Sequence, residues 1–159
     1  MKRPPARILL RLWLLALLAL GCDRGGPPPA RGIALGLFAA SPTWDYGPLI
    51  DEIAAHLATD VLVVIPLHMA APDSPGLTAT VPEATLRRTL GQARAARLRV
   101  TLMPMVDLET PRPGAWRGTL APPPTWWDSY TQHVLALADL AQQVGAHRLV
   151  VGSELCALE

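Results

Sequence analysis

Four short apolar runs recur between residues 32 and 159, each separated from the next by a stretch with helical spacing. The first run is Ile33-Ala34-Leu35-Gly36-Leu37-Phe38. The second, Val61-Leu62-Val63-Val64-Ile65-Pro66-Leu67, is rich in β-branched residues. Such continuity predicts a strand buried on both faces, as in a parallel sheet. The third run spans Leu98 to Val106, and the fourth Arg148 to Val151. Between the first two runs, Leu49, Ile50, Ile53, Ala54 and Leu57 share one helical face. That spacing predicts a helix from Tyr46 or Gly47 to about Leu57, with Pro48 in its first turn. A second helix is predicted from Val81-Pro82-Glu83 to about Arg97, with Thr80 as its N-cap. A third is predicted from Trp126 to about Val144, closed by Gly145.

Strands alternating with helices predict βαβ units and a parallel sheet, hence the α/β class. Long segments follow the second and third runs, Ala71–Thr80 and Asp107–Thr125, whereas the links into strands are short. This asymmetry fits a TIM (β/α)8 barrel, whose active sites lie at the carboxyl ends of its strands. About four βα units make half of such a barrel, its N-terminal half; the alternative is a smaller open sheet.

The first 31 residues have a different character. Lys2, Arg3, Arg7 and Arg11 form a basic start, followed by nine apolar residues from Leu12 to Leu20. Nine are too few to span a bilayer, which needs roughly 20, and the pattern is that of a secretory signal peptide over residues 1–21. Leu18-Ala19-Leu20-Gly21-Cys22 is similar to a bacterial lipobox, which implies cleavage after Gly21 and lipidation of Cys22. Residues 22–31 are Gly- and Pro-rich and read as a tether. The folded domain is then residues 32–159, carried on a lipid-anchored protein exported to the bacterial cell envelope.

Removing the signal changes the charge balance. The whole chain has 14 Lys and Arg against 13 Asp and Glu, and four of the bases precede Cys22. The exported part therefore holds 10 bases and 13 acids, a net of −3. No basic patch points to a nucleic-acid partner. With Cys22 lipidated, Cys156 is the remaining cysteine and no disulfide framework exists.

The candidate chemistry gathers after the strands. Glu154 follows the fourth apolar run through Gly152-Ser153, where a carboxyl group is placed to act as a general acid; the alternative is an Arg-paired or solvent-facing carboxylate. Asp107 and Glu109 follow the third run, suited either to sugar hydroxyls or to loop capping. Asp45, after the first run, has the same two readings. Trp44, Trp116, Trp126 and Trp127 all lie after strand ends or at a helix start. Indole faces stack on sugar rings as readily as they fill cores. The four histidines form no metal spacing, and the chain has neither a Gly-rich phosphate loop nor a Gly-x-Ser-x-Gly elbow. Neither a metal nor a cofactor is expected.

Several of these segments together resemble one family. Val100-Thr101-Leu102-Met103-Pro104-Met105-Val106-Asp107, then Trp116-Arg117-Gly118, then Trp126-Trp127-Asp128-Ser129-Tyr130, then Val150-Val151-Gly152-Ser153-Glu154-Leu155 are similar, in order and spacing, to the family 113 glycoside hydrolases. Known members are endo-β-mannanases, built as retaining (β/α)8 barrels. The resemblance implies a polysaccharide or oligosaccharide substrate and makes Glu154 the acid/base carboxylate. It places Asp107, Trp116 and Arg117 in loops bordering the sugar; Trp44 and Trp127 join them as stacking candidates. A retaining enzyme needs a second carboxylate about 5 Å from the first, and in this clan it comes from the seventh strand. The 159 residues hold four strands, so they are expected to be inactive alone. The competing expectation is a carbohydrate-binding lipoprotein without catalysis, or a half-barrel that dimerises.

Overall fold

The computed structural model describes residues 29–110 and 113–158. The expected signal peptide, Cys22 and most of the expected tether lie outside the described residues. Among the described residues, five strands and three helices follow in order: β1 (Gly32–Gly36), α1 (Gly47–Ala55), β2 (Asp60–Met69), β3 (Thr78–Ala79), α2 (Glu83–Ala95), β4 (Arg99–Leu108), α3 (Trp126–Val144) and β5 (Arg148–Leu149). Single 3-10 turns at Arg117–Thr119 and Cys156–Leu158 complete it.

The sheet runs β1-β2-β4-β5, and every pair along this path is parallel. β2 and β4 pair over their full ten residues, from Asp60↔Arg99 to Met69↔Leu108. This is the expected βαβ arrangement. The short β3 was not expected; it pairs antiparallel with the end of β2, at Leu67↔Ala79 and His68↔Thr78. It folds the loop after β2 back over that strand. Two polar contacts fix the loop to α3: Ser129 Oγ accepts from the Leu77 N–H at 3.1 Å, and His133 Nε2 lies 3.2 Å from the Leu77 carbonyl.

The larger core lies between the sheet and the helices. Val61, Val63, Ile65, Val100 and Leu102 face Ile50, Ile53, Leu86, Leu90, Leu137 and Leu140. Burying side chains of this size stabilises by about 1.5–3 kcal/mol each. A second cluster, near the strands' carboxyl ends, joins Leu67, Met69 and Val106 to Trp126 and Tyr130. Trp126 is fully buried and stacks on Tyr130 at 4.8 Å between centroids.

Helix boundaries follow local chemistry. Leu57 does not join the α1 core face: it is exposed, and its φ of 58° ends the helix. Arg97, with φ of 62°, ends α2 in the same way. Thr80 is not an N-cap either. Pro82 holds that position, and the Thr80 hydroxyl donates instead to the Pro66 carbonyl at 3.3 Å. Gly145 closes α3 in the left-handed conformation, φ 67°, as expected.

The fourth strand is shorter than its apolar run. The Val150 N–H donates to the Leu102 carbonyl at 2.8 Å, so the even positions of β4 face β5. The next donor in that alternation is position 104, and Pro104 has no N–H. The ladder stops there, and the chain leaves the sheet before it reaches Glu154.

Candidate functional site

The parallel strands bring their carboxyl ends to one side of the sheet. There His68 and Asp107 are register partners on β2 and β4. His68 Nδ1 lies 3.9 Å from Glu109 Oε1. Asp107 Oδ1 accepts from the Leu108 N–H at 3.1 Å, the local capping contact that is one of its two readings.

Glu154 sits just beyond β5 with φ of 56°. A left-handed backbone at a residue with a Cβ costs about 1–2 kcal/mol. Such strain persists only where neighbours hold it, and it concentrates at working sites. Arg117 Nε approaches Glu154 Oε2 to 2.8 Å, with the guanidinium one-quarter and the carboxylate half exposed. The Nε–H does not point along this contact, so the pair is an ion pair without a hydrogen bond. Arg117 Nη2 also reaches Met105 Sδ at 3.2 Å. The Arg-paired alternative for Glu154 is therefore what the side chain does at rest, and the partner is another residue of the same rim.

The 3-10 turn that carries Arg117 is held from within. The Thr119 N–H donates to the Trp116 carbonyl at 2.8 Å, and Thr119 Oγ1 accepts from the Trp116 N–H at 3.1 Å. The exposed Trp116 ring folds over Gly118, which leaves it room by having no side chain.

The other tryptophans divide. Trp127, on the first turn of α3, lines a shallow depression of about 380 Å³ together with Gly152, Ser153, Glu154 and Leu155. Trp126, next to it, is core. Trp44 is half exposed at the entry to α1, where its carbonyl accepts from Arg88 Nη2 at 3.1 Å; it belongs to neither the Arg117 pair nor the Trp127 depression. The structure thus brings Glu154 to Arg117 on one side and to Trp127 on the other.

Asp45 has a structural role. Its Oδ1 accepts from the Gly47 N–H and from Gln92 Nε2, both at 3.0 Å. The Gln92 bond first, then the Gly47 bond, hold its carboxyl below the usual carboxylate range. Sequence reasoning missed Met105 as the seat of Arg117, and missed Tyr130, whose phenol donates to the Val151 carbonyl at 2.5 Å. The alternation of β4 could have found Met105, because it lies two residues before Asp107 on the same face. No sequence signal marks the Tyr130 contact. Among the described residues, no group of three or more His, Cys, Asp or Glu could hold a metal ion. No helix among them is long and apolar enough to cross a membrane.

The fold has relatives. The β-mannanase AaManA of Glycoside Hydrolase Family 113 from Alicyclobacillus acidocaldarius, solved in complex with ManMIm, superposes with a TM-score of 0.72 at 23% identity. The match covers 82% of this chain and 46% of that one. Two structures of a family 113 β-1,4-mannanase, one of them a complex, give TM-scores of 0.67 at 18% and 19% identity. They cover 79% and 80% of this chain and 45% and 46% of theirs. The chain therefore spans about half the length of these structures, and its parallel βα units match half of their TIM barrel. No curated protein sequence matches it. The sequence model of Glycoside Hydrolase Family 113 matches residues 74–159, more than half of the chain and all of the segment from β3 to Glu154. The chain belongs to Glycoside Hydrolase Family 113.

Proposed function

We propose that this chain carries the acid/base part of a retaining glycoside hydrolase acting on β-linked, mannan-type polysaccharide. The observation that carries the reading is the placement of Glu154 beyond the last strand, beside the exposed face of Trp127. In this reading the Glu154 carboxyl protonates the departing glycosidic oxygen, then takes a proton from the incoming water. Trp127 and Trp116 offer indole faces to the apolar sides of pyranose rings. Asp107 and Arg117 border the sugar with groups that bind hydroxyls.

The retaining route needs a second carboxylate about 5 Å from Glu154 as nucleophile. The resemblance supplies one from the seventh strand, not from Asp107 or Glu109. The 159 residues by themselves are accordingly proposed to bind mannan oligosaccharide without turning it over. Titration calorimetry with mannohexaose, alongside a reducing-sugar assay on β-mannan, tests this. Binding without release of reducing ends supports it; release of reducing ends by the purified chain overturns the division of the catalytic pair, and no binding overturns the substrate class.

The three half-exposed tryptophans, Trp44, Trp116 and Trp127, favour the second reading of a carbohydrate-binding protein without catalysis. Glu154→Gln separates the two in any longer form that turns over substrate: activity is lost in an enzyme while oligosaccharide binding remains. Export and lipid anchoring through Cys22 are part of the proposal. Labelled palmitate entering the wild type but not Cys22→Ala supports them; equal labelling of both refutes them.

A further inference from the structure

The chain that bears Glu154 lacks the support a strand would give it. The ladder between β4 and β5 ends at Val150, and the Tyr130 phenol secures the chain once more, at Val151. Glu154 lies three residues further on, in a left-handed conformation that its own chemistry disfavours. A rim carboxylate in this position needs an external hold to keep one orientation.

Arg117 is built to give it. Its turn is closed by the Trp116–Thr119 contacts, and the loop behind the turn is pinned by the Ala121 N–H on the Pro72 carbonyl at 2.9 Å. Its guanidinium rests on Met105, a side chain of the long central strand β4. The hold therefore comes from the strand that pairs with β2 at this level, Pro66↔Met105. The Arg117 Nε atom is shielded from solvent, and its nearest acceptor is Glu154 Oε2 at 2.8 Å.

We propose that Arg117 is the positioning residue for Glu154: by taking Oε2 it maintains the left-handed backbone and leaves Oε1 as the oxygen that meets the sugar. This rests on the reading of Glu154 as the acid/base group. Arg117 acts through Glu154, not on the reacting atoms. A planar guanidinium on a fixed turn suits that task, because it sets direction as well as distance.

The test is nuclear magnetic resonance on the full 159-residue chain, labelled with ¹⁵N and ¹³C. The dipolar coupling between the Glu154 amide proton and its own α-proton, unusually strong only where φ is positive, reports its backbone. The proposal expects the positive-φ signature in the wild type, its loss in Arg117→Met and its recovery in Arg117→Lys. An unchanged coupling in Arg117→Met overturns it, because the chain alone would then hold the conformation. If Arg117→Met does not fold, Arg117→Gln, which loses the charge and keeps a polar side chain, is measured instead. Loss of the signature there supports an electrostatic hold; persistence overturns it. Mannohexaose titrated into the wild type checks the parent reading separately. Absence of shifts at Glu154 and Trp127 removes the sugar site, whatever the coupling shows.

Discussion

The Tyr130 phenol donates to the Val151 carbonyl at 2.5 Å, joining α3 to the chain just past the last strand. This bond replaces the strand contacts that end one residue earlier, at Val150. Tyr130→Phe should lower stability by about 0.5–1.5 kcal/mol, read from urea unfolding. Burial raises the phenol above its ordinary value near 10. A group raised in the folded state gives stability that is complete below its unfolded value and lost as pH climbs through the folded one. The wild type should therefore lose stability more steeply than Tyr130→Phe above about pH 10. Parallel curves in that range would count against the burial of this hydroxyl.

A second pH effect is expected at the opposite end of the sheet. Asp60 Oδ2 accepts from Arg99 Nη2 at 2.7 Å and also from the Thr59 hydroxyl. The Arg99 bond first, and the Thr59 bond second, hold the Asp60 carboxyl below the usual range. Its stabilisation is present above the ordinary value near 3.9 and is lost as pH falls through the folded one. Arg99 is 44% exposed, so water screens the pair and its worth stays under about 1 kcal/mol. Thermal melts between pH 2 and 6 should show a shallower acid-side fall in Asp60→Asn than in the wild type.

Gly145 closes α3 with φ of 67°, beneath the Arg94 guanidinium. Gly145→Ala has room for its methyl group, so only the backbone objects. The cost should be about 1–2 kcal/mol by urea unfolding. A neutral effect would mean that the helix ends differently in solution.

Glu154 makes the opposite case. Glycine adopts its conformation freely, so Glu154→Gly should raise stability by up to about 1–2 kcal/mol while removing the proposed acid/base group. A stabilised variant that binds mannohexaose without responding at position 154 would show strain held for function. A destabilised variant would show that the Arg117 pair outweighs the backbone cost.

Leu135, Val151 and Trp127 are exposed along one shallow apolar strip beside the β5 edge. Contiguous apolar surface next to an unpaired strand edge favours association. Light scattering of the 159-residue chain should therefore rise with concentration. Leu135→Glu combined with Val151→Lys should suppress that rise.

Much of this architecture is readable from residue order. The β-branched run of β2 and the amphipathic spacing of α3 give element type directly, and Gly145 marks its boundary. The Leu57 and Arg97 helix ends escape such reading, because a left-handed residue other than glycine or asparagine carries no local signature. β3 escapes because two residues have no periodicity. The site divides in the same way. Glu154 is visible from its place after an apolar run, and Arg117 and Trp116 from the family resemblance. That Arg117 seats on Met105 and reaches Glu154 depends on how two loops cross, which no spacing encodes. Asp45 shows the reverse: a carboxylate after a strand looks like chemistry, yet its partners, Gly47 and Gln92, make it a capping group.

Pro104 has a consequence beyond ending a ladder. Up to Leu102 the sheet is fastened on both sides of β4, and the geometry there is dictated by hydrogen bonds that admit little variation. Above it, one missing hydrogen leaves the β5 side open. The lower sheet is therefore the rigid foundation, and the upper margin is free to take whatever direction its side chains impose. A chain built this way can re-aim its rim carboxylate by changing a few contacts such as Arg117 and Tyr130, without disturbing the strands beneath. Restoring the hydrogen, as in Pro104→Val, would extend the fastening upward and fix the carboxylate along the strand's own line.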